Sequence, residues 1–410
     1  GGARRATARA GMNPDLARLH PYPFERLAAL LDGVQPEVPA PVSLSIGEPR
    51  HAAPAFVLEA LRRHAAGYSQ YPKTQGSAEL RETIADWLTA RYRLAPGSLG
   101  AAAHVLPVNG SREALFAFTQ AAIDRSRHAA PLVAMPNPFY QIYEGAALLA
   151  GAAPLFLPER ADRPGIPDFA AVAEADWARC QMLVVCSPGN PTGAVLNLAD
   201  WGEIFALADR HGLVVASDEC YSELYPDEDA PPVGVLEACR HHGREGFARC
   251  IAFHSLSKRS SLPGMRSGFV AGDADLIRSF LLYRTYHGSA MPPPHQAAST
   301  LAWRDEEHVR ENRALYRAKF AAVLAELDGC LEVSAPDGGF YLWPRTPCDE
   351  REFARELYRR CNVLVLPGSF LSRPTPQGDP GARRVRMALV AGLEECVEAA
   401  RRIRGFVATL

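Results

Sequence analysis

Asn190, Asp218, Lys258 and Arg266 follow one another in the chain, separated by 28, 40 and 8 residues. The first three come just after short apolar runs. A lysine past the end of a buried strand loses water, which lowers its pKa and frees the amine as a nucleophile. A solvated loop lysine is the plain alternative for Lys258. Ser255 and Ser257, in Ser255-Leu-Ser-Lys258, offer hydroxyls to a phosphate, and Arg266 offers a planar fork. Asp218 would place a carboxylate at a buried strand end, which is costly unless a cation or donor meets it. A protonated ring nitrogen would be such a partner. Tyr221, three residues on, reaches the same ligand or fills a core. Asn190 stands in Ser187-Pro-Gly-Asn190-Pro-Thr-Gly193, a simple Pro/Gly turn or a ligand contact.

These residues need elements to present them. Short apolar runs recur at 131–135, 182–186, 213–216, 250–253 and 268–271, with helical stretches between. Such runs read as strands buried on both faces, in a mostly parallel sheet covered by helices. Ligands of open α/β sheets sit beyond the carboxyl ends of strands. The sheet therefore presents residues 136–140, 187–193, 217–221 and 255–258 toward one region. Leu80, Ile84, Trp87 and Leu88 form one stripe of a helix. Ser111 is expected as the N-cap of another that contains Leu115, Phe116 and Phe118. Pro292-Pro293-Pro294 breaks the pattern, and a long helix is expected over about 308–327, stopped by Gly329. The chain reads as an N-terminal segment (12–48) joining a small domain, a large domain (49–290) and a small C-terminal domain (291–410).

Composition narrows the function. At 410 residues, two domains fit better than one core. Lys plus Arg is 44 against 46 for Asp plus Glu, so the charge of −2 lacks the footprint of a nucleic-acid binder. No apolar run reaches the ~18 residues of a membrane span. The 9 Cys are odd in number and show no C-x-x-C pair, which argues for reduced thiols in a cytoplasmic protein. Cys180, Cys186, Cys220 and Cys250 sit in apolar surroundings. His241 and His242 read as a solvated pair, and no metal is expected. Residues 1–11 carry Arg4, Arg5 and Arg9 without the apolar core of a secretory signal, and are expected to be an expression remnant ahead of Met12.

Asn-Pro-Thr-Gly, Asp-x-x-Tyr, Ser-x-Ser-Lys and Gly264-Met-Arg266-Ser-Gly268, in this order, resemble the signature of the fold type I, class I/II aminotransferases, which use pyridoxal 5′-phosphate (PLP). The resemblance covers residues 12–410. It is closer still to the bacterial N-succinyl-L,L-diaminopimelate aminotransferases through Leu19-His-Pro-Tyr-Pro-Phe-Glu25, Leu44-Ser-Ile-Gly-Glu-Pro49, Gly110-Ser-Arg-Glu-Ala-Leu-Phe116 and residues 137–151 and 282–289.

The resemblance implies an α/β fold of that type. It implies transfer of an amino group between N-succinyl-L,L-2,6-diaminopimelate and 2-oxoglutarate. Aspartate, alanine or aromatic substrates, or a PLP-dependent lyase reaction, are the alternatives. It implies that Lys258 holds PLP covalently and moves the substrate proton. Asp218 would pair with the pyridine nitrogen, Tyr221 and Asn190 with the ring's O3′, and Tyr140 would stack on the ring. Ser111, Arg112, Ser255, Ser257 and Arg266 would hold the phosphate. Tyr71 would reach the phosphate of a neighbouring subunit, which implies a homodimer with shared sites. Arg386 would grip the substrate α-carboxylate, with Gly47 and Asn190 beside it. Arg284 and Lys73 are expected to meet the distal carboxylate or the succinyl group.

Overall fold

The computed structural model describes residues 11–410, so the expectation for the leading remnant lies outside the described residues. Seven strands form one sheet in the spatial order Val105–Val108, Gly268–Gly272, Cys250–Ser255, Val214–Asp218, Cys180–Cys186, Leu132–Pro136, Ala153–Leu157. All neighbours run parallel except that Gly268–Gly272 is antiparallel to both of its partners. Apolar clusters pack on both faces. Leu183, Val215 and Phe269 point to one, and Met182, Ala216 and Val270 to the other. This two-sided burial is why the strands read as unbroken apolar runs.

Two strands escape that reading, Val105–Val108 and Ala153–Leu157. Both lie at sheet edges and both contain a proline, Pro107 and Pro154. Proline cannot donate to a ladder, so it weakens the strand pattern and is tolerated at an edge. The helix Ala78–Arg91 buries Leu80, Ile84, Trp87 and Leu88, and Ser77 caps it by accepting from Leu80 N at 3.1 Å. The helix Ser111–Ala122 corrects the capping expectation. Gly110, at φ +92°, is the cap residue, and Ser111 is the first helical residue with no side-chain cap bond.

The Pro292–Pro294 run starts a helix, Pro293–Arg304, rather than a gap. Proline suits the first turn, where its missing N–H has no helical partner anyway. This helix packs on Ala55–Arg63 and Ala78–Arg91, so the large body continues past 290 to about residue 304.

A second core gathers Leu44, Val323, Leu342, Leu357, Met387 and Ile403. Its helices are Glu307–Leu327, Glu350–Cys361 and Leu393–Val407. An antiparallel sheet joins Leu366–Pro367, Val385–Ala388 and Tyr341–Leu342. Val42–Ser43 pairs in parallel with Val363–Leu364, which fastens the N-terminal segment to this core. Among the described residues no helix is long and apolar enough to cross a membrane.

Candidate active site

The carboxyl ends of three adjacent parallel strands open onto a cavity of about 580 Å³ between the two cores. Val214–Asp218 ends in Asp218, Cys250–Ser255 runs into the turn that carries Ser257 and Lys258, and Cys180–Cys186 leads to Asn190. Gly47, Ser111, Arg112, Tyr140, Tyr221, Arg266 and Arg386 line the same cavity. Of the residues singled out in the sequence for a site role, Tyr71, Lys73 and Arg284 lie elsewhere, Tyr71 fully exposed on the surface.

Lys258 Nζ donates to Gly47 O at 2.5 Å. Burial pulls its amine down to about 8, partly countered by the neighbouring Cys220. Charge on an amine without water is costly, so the neutral nucleophilic form gains.

Asp218 is buried and accepts from Tyr143 Oη at 2.5 Å and from Cys220 N at 3.3 Å. Burial pushes its carboxyl up despite these donors. No lysine or arginine pairs with it among the described residues. Its neighbours Cys186 and Cys220 also line the cavity, and burial raises both thiols far from thiolate reactivity.

Tyr221 Oη and Tyr341 Oη share a hydrogen bond of 2.7 Å, both rings being buried. The guanidinium carbon of Arg386 lies 4.4 Å from the Tyr341 ring centroid. Arg386 donates from Nη1 to Asn190 Oδ1 at 3.0 Å and from Nη2 to Ser45 O at 2.8 Å. Its Nε is buried and has no protein partner. Tyr140 Oη accepts from Arg112 Nε at 2.6 Å, and burial raises the phenol.

At the opposite end, Ser255 Oγ accepts from Ser257 N at 3.0 Å and donates to Ser257 Oγ at 2.9 Å. Arg266 has left-handed backbone at φ +51° and donates to Pro263 O at 2.9 Å. Its guanidinium lies against Gly110, where an added Cβ would meet Nη2 at 2.5 Å. Gly110 thus lets an arginine and the first amides of Ser111–Ala122 converge, an arrangement suited to phosphate.

Two expectations fail. Arg284 is fully buried, and its Nη1 donates to both Glu113 carboxylate oxygens at 2.7 and 2.8 Å. It braces the helix that starts at Ser111 and does not line this cavity. Lys73 is exposed and lies outside the cavity. Conversely, Tyr143, Tyr341, Tyr22 and Glu48 line the cavity but were not singled out by spacing. Tyr143 follows Tyr140 within one turn of the helix Gln141–Leu149, and that spacing alone was its signal.

The residues present fit PLP. A buried carboxylate lacking a cation suits a protonated pyridine nitrogen, and a glycine-walled arginine beside two serines suits a phosphate. Arg386 Nε, buried without a partner, is a donor that a carboxylate would satisfy.

Comparison with known proteins agrees. The family profile described as aminotransferase class I and II matches residues 39–403. An aminotransferase from Neisseria meningitidis is similar in structure, at TM-score 0.92 and 47% identity over 96% of this chain and 100% of that one. A probable N-succinyldiaminopimelate aminotransferase from Thermus thermophilus has TM-score 0.80 and 28% identity, over 93% of this chain and 99% of that one. The LL-diaminopimelate aminotransferase of Maridesulfovibrio salexigens is 29% identical, over 95% of this chain and 97% of its own length. The chain belongs to the class I and II aminotransferases, PLP-dependent enzymes of fold type I.

Proposed function

We propose that this aminotransferase moves an amino group between N-succinyl-L,L-2,6-diaminopimelate and 2-oxoglutarate. The observation that carries the reading is the presence of three arginines, Arg266, Arg386 and Arg112, spaced around one cavity. A cofactor phosphate takes one and an α-carboxylate takes another. Arg112 edges the phosphate cradle, yet its guanidinium is exposed, 5.8 Å from the Tyr140 ring and 5.9 Å from the Tyr22 ring. It therefore also serves a substrate with a second, distal carboxylate. Tyr22, Phe24 and Ile46 are partly exposed at the mouth and suit the methylene chain of such a substrate. The relative from Thermus thermophilus, named for the succinylated substrate, supports this choice.

PLP, when bound, supplies an electrophilic carbon and an electron sink. The protein's share is orientation and proton handling. Arg386, with Asn190, clamps the α-carboxylate by a bidentate contact. That turns the α-hydrogen toward Lys258 Nζ, which takes the proton as a base tuned by burial. Asp218 keeps the ring nitrogen protonated, and Tyr143 holds Asp218 in place. Tyr221, itself hydrogen-bonded to Tyr341, would hold the ring oxygen, and Tyr140 would lie against the ring. Gly47 closes the cavity from the N-terminal segment. In a homodimer, the exposed Tyr71 would reach the cofactor phosphate of the second copy.

A second reading is the free L,L-diamine, the substrate named for the relative from Maridesulfovibrio salexigens. The Glu48 carboxylate at the cavity mouth favours it, because a free distal ammonium would find a partner there. Steady-state rates with N-succinyl-L,L-diaminopimelate, the free diamine, aspartate, alanine and phenylalanine, each with 2-oxoglutarate, separate these cases. The succinylated amine should show the highest kcat/KM. A preference for any other donor rejects the assignment, and release of ammonia without acceptor points to a lyase.

A further inference from the structure

Behind the cavity, three buried or half-buried polar groups form a directional chain that ends on the main chain of Lys258. Lys319 Nζ lies 2.7 Å from His51 Nε2, and His51 Nδ1 lies 2.7 Å from Asn312 Oδ1. Asn312 Nδ2 donates to Lys258 O at 3.1 Å and to Arg259 O at 3.3 Å. These contacts assign every proton. Asn312 must donate to the two carbonyls, so its oxygen accepts from His51 Nδ1–H. His51 Nε2 is then the acceptor of the lysine proton.

The geometry of the helix explains the bridge. Asn312, Tyr316 and Lys319 stand at i, i+4 and i+7 on Glu307–Leu327, one stripe about 10 Å long. The His51 ring lies over the middle of it, 4.4 Å from the Tyr316 ring centroid. Lys319 is buried and, among the described residues, has no carboxylate partner and, besides His51, only Val390 O as an acceptor, at 3.5 Å. A buried amine without a counter-charge is expensive, and apolar packing would be cheaper for stability alone.

His51 also ends the segment that reaches the reacting groups. Ser45 O accepts from Arg386, and Gly47 O accepts from Lys258. Residues 45–51 therefore touch the carboxylate-binding arginine, the amine of Lys258 and, through Asn312, the carbonyl of Lys258.

We propose that His51, held between Asn312 and Lys319, is a positioning residue that pins segment 45–51 to the helix Glu307–Leu327 and ties the placement of that segment over the amino acid to the main chain of Lys258. This rests on the aminotransferase reading of the cavity, and wild-type turnover tests that reading separately.

The test uses the full chain loaded with PLP and the amino donor that wild-type protein turns over best. His51→Phe replaces the imidazole with an aromatic ring that makes neither hydrogen bond. It should raise KM for the donor about tenfold, with a smaller change in kcat. Amide hydrogen exchange across residues 44–51 should accelerate in this variant, with the melting temperature little changed. His51→Gln can donate to Asn312 and accept from Lys319, so it should restore slow exchange and bring KM back to within about threefold of wild type. Wild-type exchange and KM in His51→Phe, or no rescue by His51→Gln, would overturn the proposal. Should His51→Phe fail to fold, Lys319→Met carries the same expectation for exchange, and unchanged exchange there overturns it equally.

Discussion

Asp218 and Lys258 show at the scale of single residues how burial prepares both groups for one cofactor. Asp218 is held by Tyr143 and a backbone amide but, among the described residues, by no cation, so a protonated ring nitrogen would complete its environment. Asp218→Asn keeps the shape and an acceptor for Tyr143 but removes the charge. The loss should be about 3 kcal/mol, on the order of a hundredfold, in turnover or PLP affinity. Titration of apoprotein with PLP by absorbance, alongside steady-state rates, measures it; wild-type values in both would refute the role. Lys258 has the opposite sign of shift. Burial lowers its amine to about 8, so the neutral fraction rises with pH through that value and levels off above it. The rate of PLP capture by apoprotein should climb along the same curve. A midpoint near the ordinary lysine value would mean that the amine is solvated. Part of this was legible in the sequence: a lysine and an aspartate after apolar runs. The hydroxyl contacts of Tyr143 and Tyr341 were not, because they are made in three dimensions; Tyr143 left only its one-turn spacing from Tyr140, and Tyr341 left none. Arg284 misled for the same reason, since its partner Glu113 lies 171 residues away.

Strand ends and tight turns place these groups at the scale of elements. Parallel strands buried on both faces announce themselves by composition, which is why the three central ones and their polar ends could be read directly. The edge strands could not, since Pro107 and Pro154 interrupt the pattern. The helix Pro293–Arg304 was hidden by prolines that in fact begin it. Close approach at Gly47 is likewise an element-level device. An added Cβ there would meet Tyr341 Oη at 2.0 Å, and that hydroxyl is held by Tyr221. Gly47→Ala must push the segment off the cavity or break the tyrosine pair. A cost of about 1–3 kcal/mol is expected, read as a raised donor KM and a lower melting temperature. An alanine variant with unchanged values would show that the segment does not close on this face.

The whole molecule is two cores with the reacting groups at their seam. Asp218 ends a strand of the large sheet and Lys258, Asn190 and Arg266 stand on turns beside its strands, whereas Arg386 and Tyr341 come from the small antiparallel sheet and Gly47 from the N-terminal segment. If Arg386 binds the substrate carboxylate, as proposed, turnover depends on both cores. A shuttle of this design works in two separable halves. Adding N-succinyl-L,L-diaminopimelate alone to PLP-loaded protein, and following the cofactor's visible absorbance, tests the central claim most directly. The account predicts a stoichiometric loss of that absorbance, without ammonia, that 2-oxoglutarate fully restores. An absorbance that does not change, or that falls with release of ammonia and does not return, would contradict it.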